Sequence, residues 1–317
     1  MTPTPVILDV DTGVDDALAL LLAIRSPDLD VRAVTCVAGN ADVDQVVRNT
    51  LVVLDAAGAG DVPVARGADR PLLEPARHAR HVHGADGMAD LGLPDSRRRP
   101  RSGSAVELLR ETIEQTGTPV TLIPLAPLTN IALLLRTHPE LADSIERIVF
   151  MGGSAGIGNA TAVAEFNVWQ DPEAAAIVLS SGVPLTMYGL DVFYDVTVDS
   201  ATANALAARD EPGAQLAGRL ISHQVARLGG APGTVGDAGA VAAVIAPDLI
   251  TTTRLPVRVE LSGSWTRGQT VVDRRLVAGE GDGARGLPPG EVDVALAIDG
   301  DRARQLYLDV VAPGIVG

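Results

Sequence analysis

Unbroken apolar runs alternate with amphipathic stretches along most of the chain. "PVILDVD" (5–11) reads as a buried strand and "DDALALLLAIRS" (15–26) as the helix after it. "DVRAVTCVAG" (30–39) is a second strand, followed by the helical "DVDQVVRNTLVVLDAAG" (42–58). The pattern returns in "TPVTLIPL" then "PLTNIALLLRT", and in "IERIVFMGG" then "DPEAAAIVLSSG". "VPLTMYGLDV" supplies a further strand. Strands without polar alternation, each followed by a helix, predict a mostly parallel central sheet flanked by helices on both faces. The expected fold is one α/β domain over residues 1–317. Two stretches read as long loops: 67–103, with "HARHVHGADG" and the basic "RRRPR", and 278–291, with "AGEGDGARGLPPG". The arginine run is most simply a solvated loop.

Ligands of such sheets sit beyond the carboxyl ends of the strands. Residues of chemical interest fall there: Asp9 and Asp11 after the first strand, Gly39-Asn40 after the second, and Leu125 and Met151 after later ones. Four carboxylates, Asp9, Asp11, Asp15 and Asp16, lie within eight residues. Like charges this close repel, so a cation, a proton or solvent must compensate them. Acidic residues at a helix start complement the macrodipole, which accounts for Asp15 and Asp16 but not for Asp9 and Asp11. A hard cation such as calcium takes six to eight oxygens, of which Asp11 and Asp16 could supply two or three. "VILDVDTG" also satisfies the nucleophile pattern of haloacid dehalogenase-type phosphatases. Those enzymes need a lysine, and all 25 basic residues here are arginine.

Composition narrows the classes further. The formal charge is −15 and the pI about 4.7, so a nucleic-acid polymer would be repelled. One cysteine, Cys36, rules out an intrachain disulfide or a cysteine zinc site and reads as a buried small hydrophobe. The start "MTPTPVILDV" lacks a basic signal-peptide region, and "ALALLLAI" is too short to span a bilayer. A cytoplasmic protein that does not touch membranes is the expectation.

"DVDTGVDDA" resembles the DxDxGxDD signature of the inosine–uridine-preferring nucleoside hydrolases. Other segments resemble the family's motifs in the same order: "VAGN" (37–40), "HVHGADG" (81–87), "PLAPLTNIA" (124–132), "MGG" with "GNATAVAEFN" (158–167), and "TRGQTVVD" (266–273). The resemblance spans nearly the whole chain and implies the family's Rossmann-like fold. It also implies hydrolysis of a ribonucleoside to free base and ribose around one calcium, with magnesium an alternative on ligand chemistry alone. Its metal ligands would be Asp11, Asp16, the backbone oxygen of Leu125, and Asp237. Asp11 would also accept the proton of the attacking water. Asp15 and Asn40 would bond the ribose hydroxyls, Asn159, Glu165 and Asn167 the rest of the sugar, and Met151 would pack beneath it. Asp9 would position the turn. A homodimer or homotetramer is implied as well. Each polar residue has a plainer rival: Asn40 and Asn159 follow glycines and could be turn residues.

One departure stands out. The family usually carries a histidine immediately before the last metal aspartate, where it assists the departing base; here that position is Gly236, and Ala238 replaces the following proline. His83 is the first substitute, matching a family histidine near the base. His223 and Arg227 are others, with an exposed helix face as their simpler reading. Trp169 and Trp265 read as packing residues. The departure keeps a second expectation open, a riboside- and metal-binding protein with impaired turnover.

Overall fold

The computed structural model describes residues 2–276 and 287–315. Its strands are β1 (Thr4–Val10), β2 (Leu29–Cys36), β3 (Val64–Arg66), β4 (Val120–Pro124), β5 (Ile145–Met151), β6 (Leu185–Tyr188), β7 (Thr197–Val198), β8 (Gly233–Thr234), β9 (Ile250–Val259), β10 (Thr270–Val272) and β11 (Gly290–Ile298). Among the described residues nine of them form one sheet in the order β10-β9-β11-β6-β5-β4-β1-β2-β3, and β7 pairs with β8 apart from it. The pairings from β3 across to β11 by way of β6 are parallel. Every strand expected from the apolar runs forms, as does the helix after each.

Both faces of the sheet are covered, and this explains the missing polar alternation. Val6, Leu8 and Val10 point into one apolar layer with the helices Val14–Arg25, Pro212–Arg227 and Ala238–Ile245. Ile7 points into the other, with the helices Ala105–Thr116, Thr129–Thr137 and Pro172–Leu179. The Val14–Arg25 helix is buried nearly all round, so its first turn brings Asp16 into the interior. Cys36 is buried with its thiol pushed up to about 12 by burial, as expected of a small hydrophobe.

The carboxyl-terminal edge departs from the simple pattern. β9 runs antiparallel to both β11 and β10. Its exposed Thr251–Arg254 stretch is tolerable because an antiparallel edge can face water on one side. The 67–103 loop holds one turn of helix, Arg80–His83, and a bridge from Arg101 to Ala65. Of the 278–291 loop, residues 278–286 lie outside the described residues, and Gly290 opens β11. The chain order reverses between β1 and β4: β1 continues to β2 on one side and borders β4 on the other. A crevice forms beyond the strand ends at such a reversal.

Candidate active site

The end of β1 turns directly into the Val14–Arg25 helix, and the turn is held by its own carboxylates. Asp16 accepts the backbone N–H of Asp11 on Oδ1 (3.1 Å) and that of Gly13 on Oδ2 (3.0 Å). Asn40, beyond β2, reaches across. Its backbone N–H donates to Asp11 Oδ2 (2.7 Å), and its Nδ2 to Asp11 Oδ1 and Asp16 Oδ2 (3.1 Å each). That approach requires glycine at 39, where a Cβ would stand 2.0 Å from Asp11 Oδ2. Asp9 lies behind, its Oδ1 accepting from Thr35 Oγ1 (2.6 Å) and Asn130 Nδ2 (2.8 Å). The Leu125 N–H donates to the Asp9 carbonyl at 2.8 Å, which ties β4's end to β1's.

Behind Asn40 and Leu125 these carboxylates back a cavity of ≈670 Å3 lined by Asp15, Asn40, His83, Leu125, Met151, Asn159, Glu165, Asn167 and Asp237. Glu165 caps the short helix Phe166–Gln170, taking the N–H groups of Gly153, Asn167 and Val168. Asn159 is exposed at the rim and accepts the Phe166 N–H through Oδ1 (2.8 Å). Asn167 Nδ2 donates to the Leu125 carbonyl (2.9 Å) and the Met151 carbonyl (3.2 Å). The site residues expected from the sequence therefore lie in one neighbourhood, although Asp9, Asp11 and Asp16 do not themselves line the cavity, the last two standing behind Asn40.

Electrostatically, the floor lacks a partner. Burial, then repulsion from Asp16, holds Asp11 well above the usual carboxylate range. Asp237 is raised by burial and then by Asp16, Asp15 and Asp11. Asp15 is pushed up to about 7 by burial and Asp16, against the pull of its Gln224 hydrogen bond and the Arg227 charge. The buried carboxylates of Asp11, Asp16 and Asp237, with the Leu125 carbonyl, are oxygen donors of the kind a hard divalent cation takes, although among the described residues no three His, Cys, Asp or Glu side chains stand together as a preformed metal cluster. Against the same turn, His83 Nδ1 accepts the Val14 N–H (3.2 Å), so the hydrogen-bond pattern assigns its proton to Nε2. Burial foremost pushes its pKa down to about 3, which leaves a neutral hydrogen-bond donor.

Several residues of the site were not legible as such. Gln224 bridges Asp15 Oδ1 (2.7 Å) and the Thr234 N–H (2.9 Å). Trp169 lines the cavity with Arg77 stacked 4.4 Å above its ring, while Arg77 pairs with Glu74. Trp265 does not pack: it is 90 % exposed on the loop between β9 and β10. Arg227 lines the cavity, whereas His223 does not. The sequence itself points to Arg227; only helical spacing could have added Gln224, three residues before it on one face.

The family model described as inosine-uridine preferring nucleoside hydrolase matches residues 6–305. The pyrimidine-specific ribonucleoside hydrolase RihA of Salmonella schwarzengrund is 41% identical over 280 residues, 87% of this chain and 90% of that protein. RihA of Shewanella woodyi is 40% identical over 316 residues, 98% and 97% of the two chains. Among solved structures, the plant nucleoside hydrolase PpNRh1 superposes with a TM-score of 0.90 at 29% identity, covering 98% of this chain and 100% of its own. A purine-preferring ribonucleoside hydrolase from Gardnerella vaginalis gives 0.87 at 30% identity, with 97% and 98% covered. The chain belongs to the inosine-uridine preferring nucleoside hydrolase family, enzymes that hydrolyse the N-glycosidic bond of ribonucleosides.

Proposed function

We propose that this chain is a calcium-dependent hydrolase of pyrimidine ribonucleosides in which Asp11 accepts the proton of the attacking water. One observation carries the reading. Asp15 and Asp237 line a single cavity with Leu125, Asp11 and Asp16 lie directly behind the cavity-lining Asn40 that bonds both, and none of the four forms an ion pair among the described residues. The pyrimidine preference draws support from the RihA relatives.

Calcium held by Asp11, Asp16, Asp237 and the Leu125 carbonyl would orient the ribose diol and make the attacking water more acidic. The chain's own residues do the rest. Asn40 fixes both oxygens of Asp11, so the carboxylate is aimed before substrate arrives. Asp15, steadied by Gln224, and Asn40 bond the ribose hydroxyls, while Asn159, Glu165 and Asn167 hold the 5′ end and Met151 closes the underside. The negative floor then stabilises the oxocarbenium character that develops at C1′.

A homo-oligomer in the cytoplasm completes the proposal. Exposed Trp265, Leu261 and Val271 around the β9–β10 hairpin give association an apolar surface, and the single buried cysteine suits a reducing compartment. The test is base release from uridine, cytidine and inosine with calcium or with chelator. Calcium-dependent release, fastest on the pyrimidine ribosides, is expected. Turnover indifferent to chelator would remove the metal from the reading, and preference for inosine would remove the base assignment.

A further inference from the structure

Breaking the bond between ribose and base leaves an electron pair on the base, and some group must stabilise it. Neither histidine position of the family serves as a proton source here. Gly236 has φ +53°, and a Cβ there would stand 2.8 Å from both Asp15 Oδ1 and Phe193 Cζ, so no side chain fits without local movement. His83 is committed through Nδ1 to the Val14 N–H and stays neutral. Two arginines line the cavity. Arg77 is occupied by Glu74 and by Trp169. Arg227 has no ion pair or hydrogen bond among the described residues.

Arg227 ends the Pro212–Arg227 helix, one turn after Gln224. Gln224 is buried and doubly bonded, to Asp15 and to the Thr234 N–H, which fastens that turn beside the ribose carboxylate. Residues three and four apart share a helix face, and Gln224, Arg227 and Leu228 all line the cavity. The guanidinium charge acts on Asp15 and on His83, which meet at the turn before the Val14–Arg25 helix.

We propose that Arg227 is a catalytic residue that stabilises the departing base as an anion, which makes the enzyme selective for ribosides whose base bears negative charge well, uridine above cytidine. The inference rests on the ribonucleoside hydrolase reading. In this step the C1′–N1 bond breaks and its electron pair passes to N1 and the adjacent carbonyl oxygen. Water oxygen forms the new bond to C1′, and one water proton goes to Asp11. The base anion leaves beside Arg227 and takes a proton from solvent. Arginine keeps its proton at any working pH, so it acts as a charge and a planar donor, which matches a flat, delocalised 2-oxopyrimidine anion. Cytosine, with its electron-donating amino group, gains less.

The experiment measures kcat and KM of calcium-loaded wild type, Arg227→Gln and Arg227→Lys on uridine, cytidine and p-nitrophenyl riboside. Wild type is expected to turn over uridine faster than cytidine. Arg227→Gln should lose about 10²-fold in kcat on uridine, the scale of one lost transition-state donor, and less than about tenfold on the nitrophenyl substrate. Arg227→Lys should recover part of the uridine loss. An equal loss on all three substrates would mean a sugar-binding or structural role and would overturn the proposal. So would undiminished uridine turnover, or a wild type that cleaves the nitrophenyl riboside alone. A wild type that cleaves nothing would instead overturn the hydrolase reading, and this inference with it.

Discussion

Asp11→Asn keeps the shape of the side chain but removes the oxygen that takes the proton. Loss of a positioned general base typically costs 10²–10⁴ in rate, so turnover on any riboside should fall by about 10³. The same change removes one charge from a buried, mutually repelling set, so without calcium the variant should melt higher than wild type. A lower melting temperature in chelator would show that the Asn40 hydrogen bonds to Asp11, at 2.7 and 3.1 Å, outweigh the repulsion. Gly236→His, the change that restores the usual family residue, is expected to fail here. A non-glycine residue at φ +53° costs on the order of 1 kcal/mol, and its Cβ presses on Asp15 and Phe193. Uridine hydrolysis by that variant should fall and KM rise; a gain in kcat would show that the turn relaxes to accept the imidazole.

At the scale of elements, Gln224 joins the Pro212–Arg227 helix to the first-strand turn through Asp15, and to β8 through Thr234. Gln224→Ala leaves a buried carboxylate oxygen and a backbone N–H without their partner. A hydrogen bond to a charged group contributes about 1.5–3 kcal/mol, so kcat/KM should drop roughly 10- to 100-fold while the secondary structure persists in circular dichroism. Unchanged kinetics would place the helix outside the working site. The apolar runs made nearly all of these elements legible, because a strand covered on both faces needs no polar positions. The antiparallel β9–β10 edge was less legible, since "ITTTRLPVRV" is neither a clean alternation nor an unbroken apolar run. The packing role expected for Trp265 failed for a related reason: a tryptophan's size favours burial, but this one lies on a loop with no layer above it.

For the whole molecule, acid clustering makes stability depend on pH and calcium together. Asp9 and Asp15 sit at about 7 in the folded chain against an ordinary 3.8. The folded state therefore holds protons that the unfolded chain has released between about pH 4 and pH 7, and stability falls as pH rises through that window. His83 opposes this between its ordinary 6.5 and about 3, where stability is lost as pH falls. The raised carboxylates outnumber the one histidine, so in chelator the melting temperature should decline from pH 5 to pH 8. Calcium should restore it most at pH 8, where the ligands are ionised. A melting temperature that rises over that range in chelator would contradict this balance. No helix among the described residues is long and apolar enough to cross a membrane.

From sequence alone came the element types, the parallel sheet, the acidic turn after β1, and the absence of a histidine at 236. These are properties of local order: an apolar run, a spacing, a residue type. The tertiary structure decided what depends on distant segments meeting. It placed Leu125 beside Asp9, because the sheet reverses its order between β1 and β4. It made Asn40 the clamp on Asp11 and Asp16, where it had read as a contact for ribose or a turn residue. It buried His83 against the Val14 N–H, which keeps the imidazole neutral with its one proton on Nε2. The sequence offers Arg227 beside His223, with an exposed helix face as the simpler reading; only the packing of its helix over Asp15 sets its charge against the cavity and leaves His223 out of it, since an electrostatic role depends on distance through space rather than along the chain.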